Sequence, residues 1–119
     1  MAGRAAILEL KPTPLPEAEL VARLFRTLGD GTRLRIIELL IDEGEIHQME
    51  IVRRLGASQA RVSEHLACLT WCGFVGARNE GRKTLYRVSD KRVHSIIAGA
   101  RRFLDDNEAG IASCRTVVR

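Results

Sequence analysis

Five stretches of apolar residues at helical spacing and one pair of short β-like runs make this chain a mainly α fold with a small β-hairpin. Two of those stretches, residues 47–55 and 59–72, are short and meet at a turn carrying Gly56, which is the signature of a helix-turn-helix. The β-like runs follow directly after it. The chain has 119 residues, enough for one domain around a single core. Aromatic residues make up only 4%, so that core is expected to be built of Leu, Ile, Val and Ala.

Residues 1–16 have no clear periodicity, and Pro12, Pro14 and Pro16 read as a flexible, extended N-terminal segment. Pro16 suits the first position of a helix. Leu20, Val21, Leu24, Phe25 and Leu28 give that helix one apolar face, and Gly29 stops it. Asp30 or Thr32 can cap a second helix, Arg33 to Ile41, with Leu34, Ile37, Leu40 and Ile41 inward and Gly44 behind it. A third helix fits His47 to Leu55 through Ile51, Val52 and Leu55. Ser58 is a natural N-cap for a fourth, Gln59 to Cys72, where Val62, Leu66 and Leu69 face the core and Gly73 ends the run.

Residues 74–78 and 84–88 form the hairpin, with a charged, glycine-bearing tip at 79–83. Ser89 or Asp90 caps a last helix to about Leu104, striped by Val93, Ile96, Ile97, Ala100, Phe103 and Leu104. The expected organisation is a winged helix-turn-helix domain over 17–104 followed by a loose tail, 105–119. The apolar faces of the first and last helices exceed what so small a domain needs, so a homodimer is expected.

Charge is concentrated. Between His47 and Val88 stand seven cations (Arg53, Arg54, Arg61, Arg78, Arg82, Lys83 and Arg87) against Glu50, Glu64 and Glu80. That excess equals the net +4 of the whole chain and favours a polyanionic partner. A recognition helix offers its first residues to base edges in the major groove. Here those are Gln59, Arg61 and Ser63 behind the cap Ser58, with His65 one turn in. Gln pairs with adenine and Arg with guanine. Arg78, Arg82 and Lys83 on the hairpin suit phosphates of double-stranded DNA. No apolar run reaches the roughly 20 residues a membrane span needs, and no secretory leader is recognisable, so a cytoplasmic protein without a membrane partner is expected.

The cysteines number three, Cys68, Cys72 and Cys114. In a reducing compartment they stay thiols, and metal or redox chemistry suits them better than a disulfide framework. Cys68 and Cys72 stand at i and i+4, on one helix face roughly 5–6 Å apart, where both can hold one soft metal ion. A thiol redox or electrophile sensor is the alternative, although closing such a pair to a disulfide needs backbone movement. His65 lies three residues before Cys68, but no third orienting group or catalytic motif accompanies them. No enzyme and no small-molecule substrate are expected.

Several runs together resemble one family. Leu28-Gly-Asp-Gly-Thr-Arg-Leu-Arg-Ile-Ile-Glu-Leu-Leu40, Ala57-Ser-Gln-Ala-Arg-Val-Ser-Glu-His-Leu66, Cys72-Gly-Phe-Val75, Glu80-Gly-Arg82 and Tyr86 are similar to the ArsR/SmtB repressors, over roughly residues 18–104. The resemblance implies a dimeric winged-helix repressor that leaves operator DNA when metal binds. Gly31 departs from the family's usual proline. The family's Cys-x-Cys site on the third helix has no counterpart in Ile46–Ile51. Its zinc site on the last helix is matched in part by Asp90 and His94, while Asp105, Asp106 and Glu108 do not convincingly supply the second cluster. The resemblance that remains is to the CmtR-like branch, which implies a site of Cys68 and Cys72 with the tail cysteine Cys114, given by the same or the partner subunit. Soft divalent ions, Cd²⁺, Pb²⁺ or Hg²⁺, are the effectors such a thiolate set implies.

Overall fold

Glu17 and Glu19 lie in the first turn of helix α1 (Glu17–Leu28) and Arg26 in its last, an order of charge that suits the helix dipole. Pro16 stands just outside as the N-cap. The computed structural model describes residues 15–115. The flexible segment expected at 1–16 therefore falls, except for Leu15 and Pro16, outside the described residues, as do residues 116–119 of the tail.

Asp30 caps α2 (Gly31–Glu43), its carboxylate accepting the Arg33 backbone N–H at 3.0 Å. That bond, helped by the nearby Arg33 guanidinium and opposed by partial burial, holds the Asp30 carboxyl below its ordinary range. Strand β1 (Ile46–His47) and α3 (Gln48–Leu55) follow. Gly56 sits in the left-handed region at φ 67°, which reverses the chain at little steric cost and separates α3 from α4 (Gln59–Trp71). Ser58 caps α4, accepting the Arg61 N–H at 3.2 Å. The hairpin is β2 (Val75–Glu80) and β3 (Lys83–Val88), paired from Val75 with Val88 to Glu80 with Lys83, so that Gly81 and Arg82 form its two-residue tip.

Two differences from the sequence reading concern secondary structure. The expected third helix began at His47, but Ile46 and His47 pair with Tyr86 and Leu85, which turns the hairpin into a three-stranded antiparallel sheet ordered β1-β3-β2. A two-residue strand is too short to show alternation. The second concerns the tail. Helix α5 runs from Lys91 to Ser113 with no break at Leu104, and Cys114 is its C-cap. Residues 105–113, taken as a loose tail, are exposed throughout and carry no continuous apolar stripe to mark them as helical. Asn107 and Ser113 instead donate to carbonyls one turn back, Phe103 O and Ala109 O, at 2.9 and 2.8 Å.

The chain divides into two compact units, one ending at Ser89 and the other beginning at Asp90. The core of the first unit joins Ile36, Ile37 and Leu40 of α2 with Ile51, Val62, Leu66, Leu69, Phe74, Val75 and Leu85. Helix α2 meets α1, α3, α4 and β3, so its buried face is wide enough to enclose adjacent Ile36 and Ile37. Leu34 and Ile41, expected inward, are half-buried at its edges. In α1 only Leu28 is buried, while Leu20, Val21, Leu24 and Phe25 lie open to solvent. In the second unit Val93 and Ile97 are buried, and Phe103, Leu104 and Ile111 are exposed.

Leu69 is fully buried, so Leu69→Ala should lower unfolding stability by about 2–5 kcal/mol in a urea titration. Ser58→Ala should cost about 1 kcal/mol through the lost cap. At the start of α5, three side-chain bonds from Arg92 and one from its backbone N–H hold the Asp90 carboxyl down to about 2. A carboxyl depressed on folding stabilises above its unfolded value and loses that contribution as pH falls through the folded one. The α5 N-terminus should therefore loosen between pH 3.8 and about 2. A carboxyl-carbon NMR titration checks this, and Asp90→Asn should remove the acid step.

Candidate nucleic-acid interface and thiol site

Helices α3 and α4 pack against one another as a helix-turn-helix, and β3 reaches α3 through the sheet edge. Burying Val62, Leu66 and Leu69 rotates α4 so that Gln59, Ala60, Arg61, Ser63 and Glu64 face solvent near its capped end. Among the described residues the side chains of Gln59 and Arg61 have no hydrogen-bond or ion-pair partner, which leaves both free to engage a base or phosphate. Ser63 is already engaged. Gln48 Nε2 donates to its hydroxyl, and Gln48 Oε1 accepts from Tyr86 OH at 3.4 Å. This chain ties the sheet, α3 and the recognition helix together, and Gln48 was not singled out by the sequence because its partners lie 15 and 38 residues away.

His65 does not join the outward face. It lies three residues from Val62 and four from Leu69, so the helical repeat turns it toward α2. Its side chain is 15% exposed, with Nδ1 3.4 Å from Arg33 Nη1 and Nε2 4.0 Å from the Asp30 carboxylate. Arg78 is likewise committed. Its Nε and Nη2 donate to Glu45 Oε1 at 2.9 and 2.7 Å, and Nη2 also reaches Glu80 at 3.3 Å. Those hydrogen bonds from Arg78 hold the Glu45 carboxyl below its usual range. The hairpin cations that remain open are Arg82 and Lys83, exposed at the tip and unpaired among the described residues.

The thiol pair lies at the other end of α4. Cys68 is half-buried and Cys72, the C-cap, is exposed. The two cysteines stand one helical turn apart on one face, and Cys72 Sγ lies 3.9 Å from the Thr27 hydroxyl of α1. Burial pushes the Cys68 thiol up, and charge on Cys72 pushes it further. The Arg33 guanidinium acts against both. Two neighbouring thiols of this kind form a soft donor pair suited to a thiophilic ion. Cys114 is half-buried at the end of α5 in the second unit. Among the described residues no group of three or more His, Cys, Asp or Glu side chains converges in a metal-holding arrangement. Of the last-helix residues, Asp90 caps α5 and pairs with Arg92.

This architecture has known relatives. The family model described as "Bacterial regulatory protein, arsR family" matches residues 30–76. The chain is 39% identical to the probable mercury resistance operon repressor of Streptomyces lividans over 117 residues, 98% of this chain and 90% of that one. It is 41% identical to the HTH-type transcriptional regulator CmtR of Mycobacterium tuberculosis over 73 residues, 61% of each. Among solved structures, the homodimeric winged helix-turn-helix DNA-binding domain of a possible ArsR-family transcriptional regulator from Mycobacterium bovis matches with a TM-score of 0.68 and 30% identity. That match covers 82% of this chain and 92% of the other. The chain therefore belongs to the ArsR family, as a winged helix-turn-helix transcriptional regulator and not an enzyme.

Proposed function

We propose that this regulator is a homodimeric repressor that binds operator DNA through α4 and the hairpin tip, and that a soft heavy-metal ion held by Cys68, Cys72 and Cys114 releases it. The observation that carries the reading is the adjacent Cys68–Cys72 thiol pair on the recognition helix itself. Ligation there acts on the element that reads DNA. Likeness to a mercury operon repressor over 98% of the chain supports a thiophilic effector. Mercury is the ion best suited to so few sulfur donors, and lead and cadmium are the other candidates, since zinc normally takes a fourth ligand.

The open apolar residues of α1 (Leu20, Val21, Leu24 and Phe25) and of α5 (Phe103, Leu104 and Ile111) support a dimer, because a monomer leaves them in water. The homodimeric neighbour supports it too. None of the described helices is long and apolar enough to cross a membrane, and a cytoplasmic site of action fits a DNA-bound regulator. On the DNA, Gln59 and Arg61 read base edges, Ser58 and Ser63 lie beside the backbone, and Arg82 and Lys83 meet phosphates. Arg78 and His65 act from behind, as the partners of Glu45 and of Arg33 and Asp30. Release needs only modest coupling: a ten- to thousand-fold loss of affinity corresponds to about 1.4–4 kcal/mol.

A second reading rests on the same pair. Thiols one turn apart on one helix face are candidates for oxidation, which would distort α4 because closing them to a disulfide needs backbone movement. Against it stands the raised Cys68 pKa, because reactive sensor thiols ordinarily have lowered ones.

Arg61→Ala should weaken binding to an operator selected from a random-sequence library by about 5- to 150-fold, the equivalent of roughly 1–3 kcal/mol, in a fluorescence-anisotropy titration. Serine at Cys68, Cys72 or Cys114 should leave operator affinity within about threefold of wild type while abolishing release by mercuric ion, a threefold change being under 1 kcal/mol. If all three serine variants still released normally, the thiolate site would be wrong. Release by peroxide with none by metal would favour the redox reading.

A further inference from the structure

Three carboxylates, Glu50, Glu64 and Glu80, stand among the cations of residues 47–88, and two of them are spent. Arg53 Nε meets Glu50 at 3.0 Å, and Arg54 lies 3.8 Å from the same carboxylate. Arg78 meets Glu80 at 3.3 Å. Glu64 differs from both. It is exposed and, among the described residues, its carboxylate has no hydrogen-bond or ion-pair partner. Arg61 stands three residues before it, a spacing at which ion pairs form on a helix, yet the two do not pair.

The place of Glu64 on α4 is equally particular. With Val62, Leu66 and Leu69 buried, a repeat of about 3.6 residues per turn puts Ala60, Glu64 and Ala67 on the line opposite the core. All three are exposed. The neighbours of Glu64 along that line therefore carry single methyl groups, and the carboxylate stands above them at the middle of the open face. Arg61 and Ser63 lie on its two flanks.

A bare carboxylate is the wrong charge for a surface that meets phosphates. It repels them, and taking it out of water without a donor is costly. The donors along a major groove are the exocyclic amines of adenine and cytosine. Adenine sets the acceptor N7 beside its amine, guanine offers the acceptors N7 and O6, and thymine offers the acceptor O4 beside a methyl group. Cytosine alone presents a donor with no acceptor next to it.

We infer that Glu64 is a specificity-determining residue, which accepts a hydrogen bond from the 4-amino group of one cytosine in each half-site and disfavours other sequences by its charge. The inference rests on the DNA-binding reading above and deepens it by naming a base. Discrimination then comes by two routes, attraction at the right base pair and repulsion at the wrong one. Gln59 and Arg61 supply only the first.

The test selects binding sites for the full chain from a random-sequence duplex library and measures affinities by fluorescence anisotropy. Wild type should select a cytosine at one fixed position of each half-site. Replacing that base with a pyrimidine lacking the 4-amino group should weaken wild-type binding about 5- to 150-fold. Glu64→Ala, at an exposed position where alanine favours the helix, should lose the preference there and keep the other selected positions. It should show no further loss with the altered base, and should bind random-sequence duplex about two- to fivefold more tightly than wild type. Glu64→Gln should move the preference toward adenine, the base a carboxamide pairs with bidentately. A helix merely loosened by substitution would weaken specific and random binding together.

Selection of the same cytosine by Glu64→Ala, or an equal loss with the altered base in wild type and variant, would overturn the assignment. If Glu64→Ala tightens binding to the selected site and to random duplex by the same factor, Glu64 only repels, and the cytosine contact fails. A wild-type chain that binds no duplex at all would sink the DNA-binding reading itself, whereas duplex binding with an unaltered Glu64→Ala profile sinks only the role of Glu64.

Discussion

Val62, Leu66 and Leu69 leave at most 1% of their surface to water, and that burial sets the rotation of α4. A helix has only one degree of freedom left once its core stripe is seated. With the stripe inward, Gln59, Arg61, Ser63 and Glu64 must point out, His65 must lie along the flank against α2, and Cys68 must fall half inside. The exposed polar side chains proposed to meet DNA and the thiols are thereby separated along one helix, the first set at its capped start and the other at its end.

The thiol end is tied to its neighbours through Arg33. Its Nε donates to the Thr27 carbonyl at 2.7 Å and Nη2 reaches the Arg26 carbonyl at 3.4 Å, so it closes the last turn of α1. The same guanidinium meets His65 of α4 at 3.4 Å. Thr27, whose carbonyl Arg33 holds, places its hydroxyl 3.9 Å from Cys72. The end of α1, the start of α2 and the thiol face of α4 are one hydrogen-bonded assembly. A change in the bonding of either sulfur has a short physical route to α1, the helix whose apolar residues stand open. Gln48 plays the matching part at the other end of α4, joining Ser63 to Tyr86 and so tying the sheet to that helix.

Local pattern was enough to find the helices α1 to α4, the turn at Gly56, the caps at Asp30 and Ser58 and the hairpin. Each depends on residues within a turn or two of one another, and the apolar period reports it directly. The i, i+4 spacing of Cys68 and Cys72 was legible for the same reason. Where side chains were exposed all round, as in residues 105–113, the period carried no signal and the end of the last helix was missed.

What only the tertiary structure decided is which polar groups are already spent. Arg78 and Glu45 are 33 residues apart, Arg33 and His65 are 32 apart, and β1 finds β3 some 40 positions downstream. By type and spacing Arg78 and His65 were as good candidates for DNA as Arg82 and Arg61. They differ because folding brings them carboxylates or an arginine from distant segments, and an ion pair or hydrogen bond leaves fewer donors for a ligand. Sequence spacing encodes which face of an element a residue occupies. It does not encode which side chain from elsewhere in the chain arrives there first, because that depends on packing between elements that no local period describes.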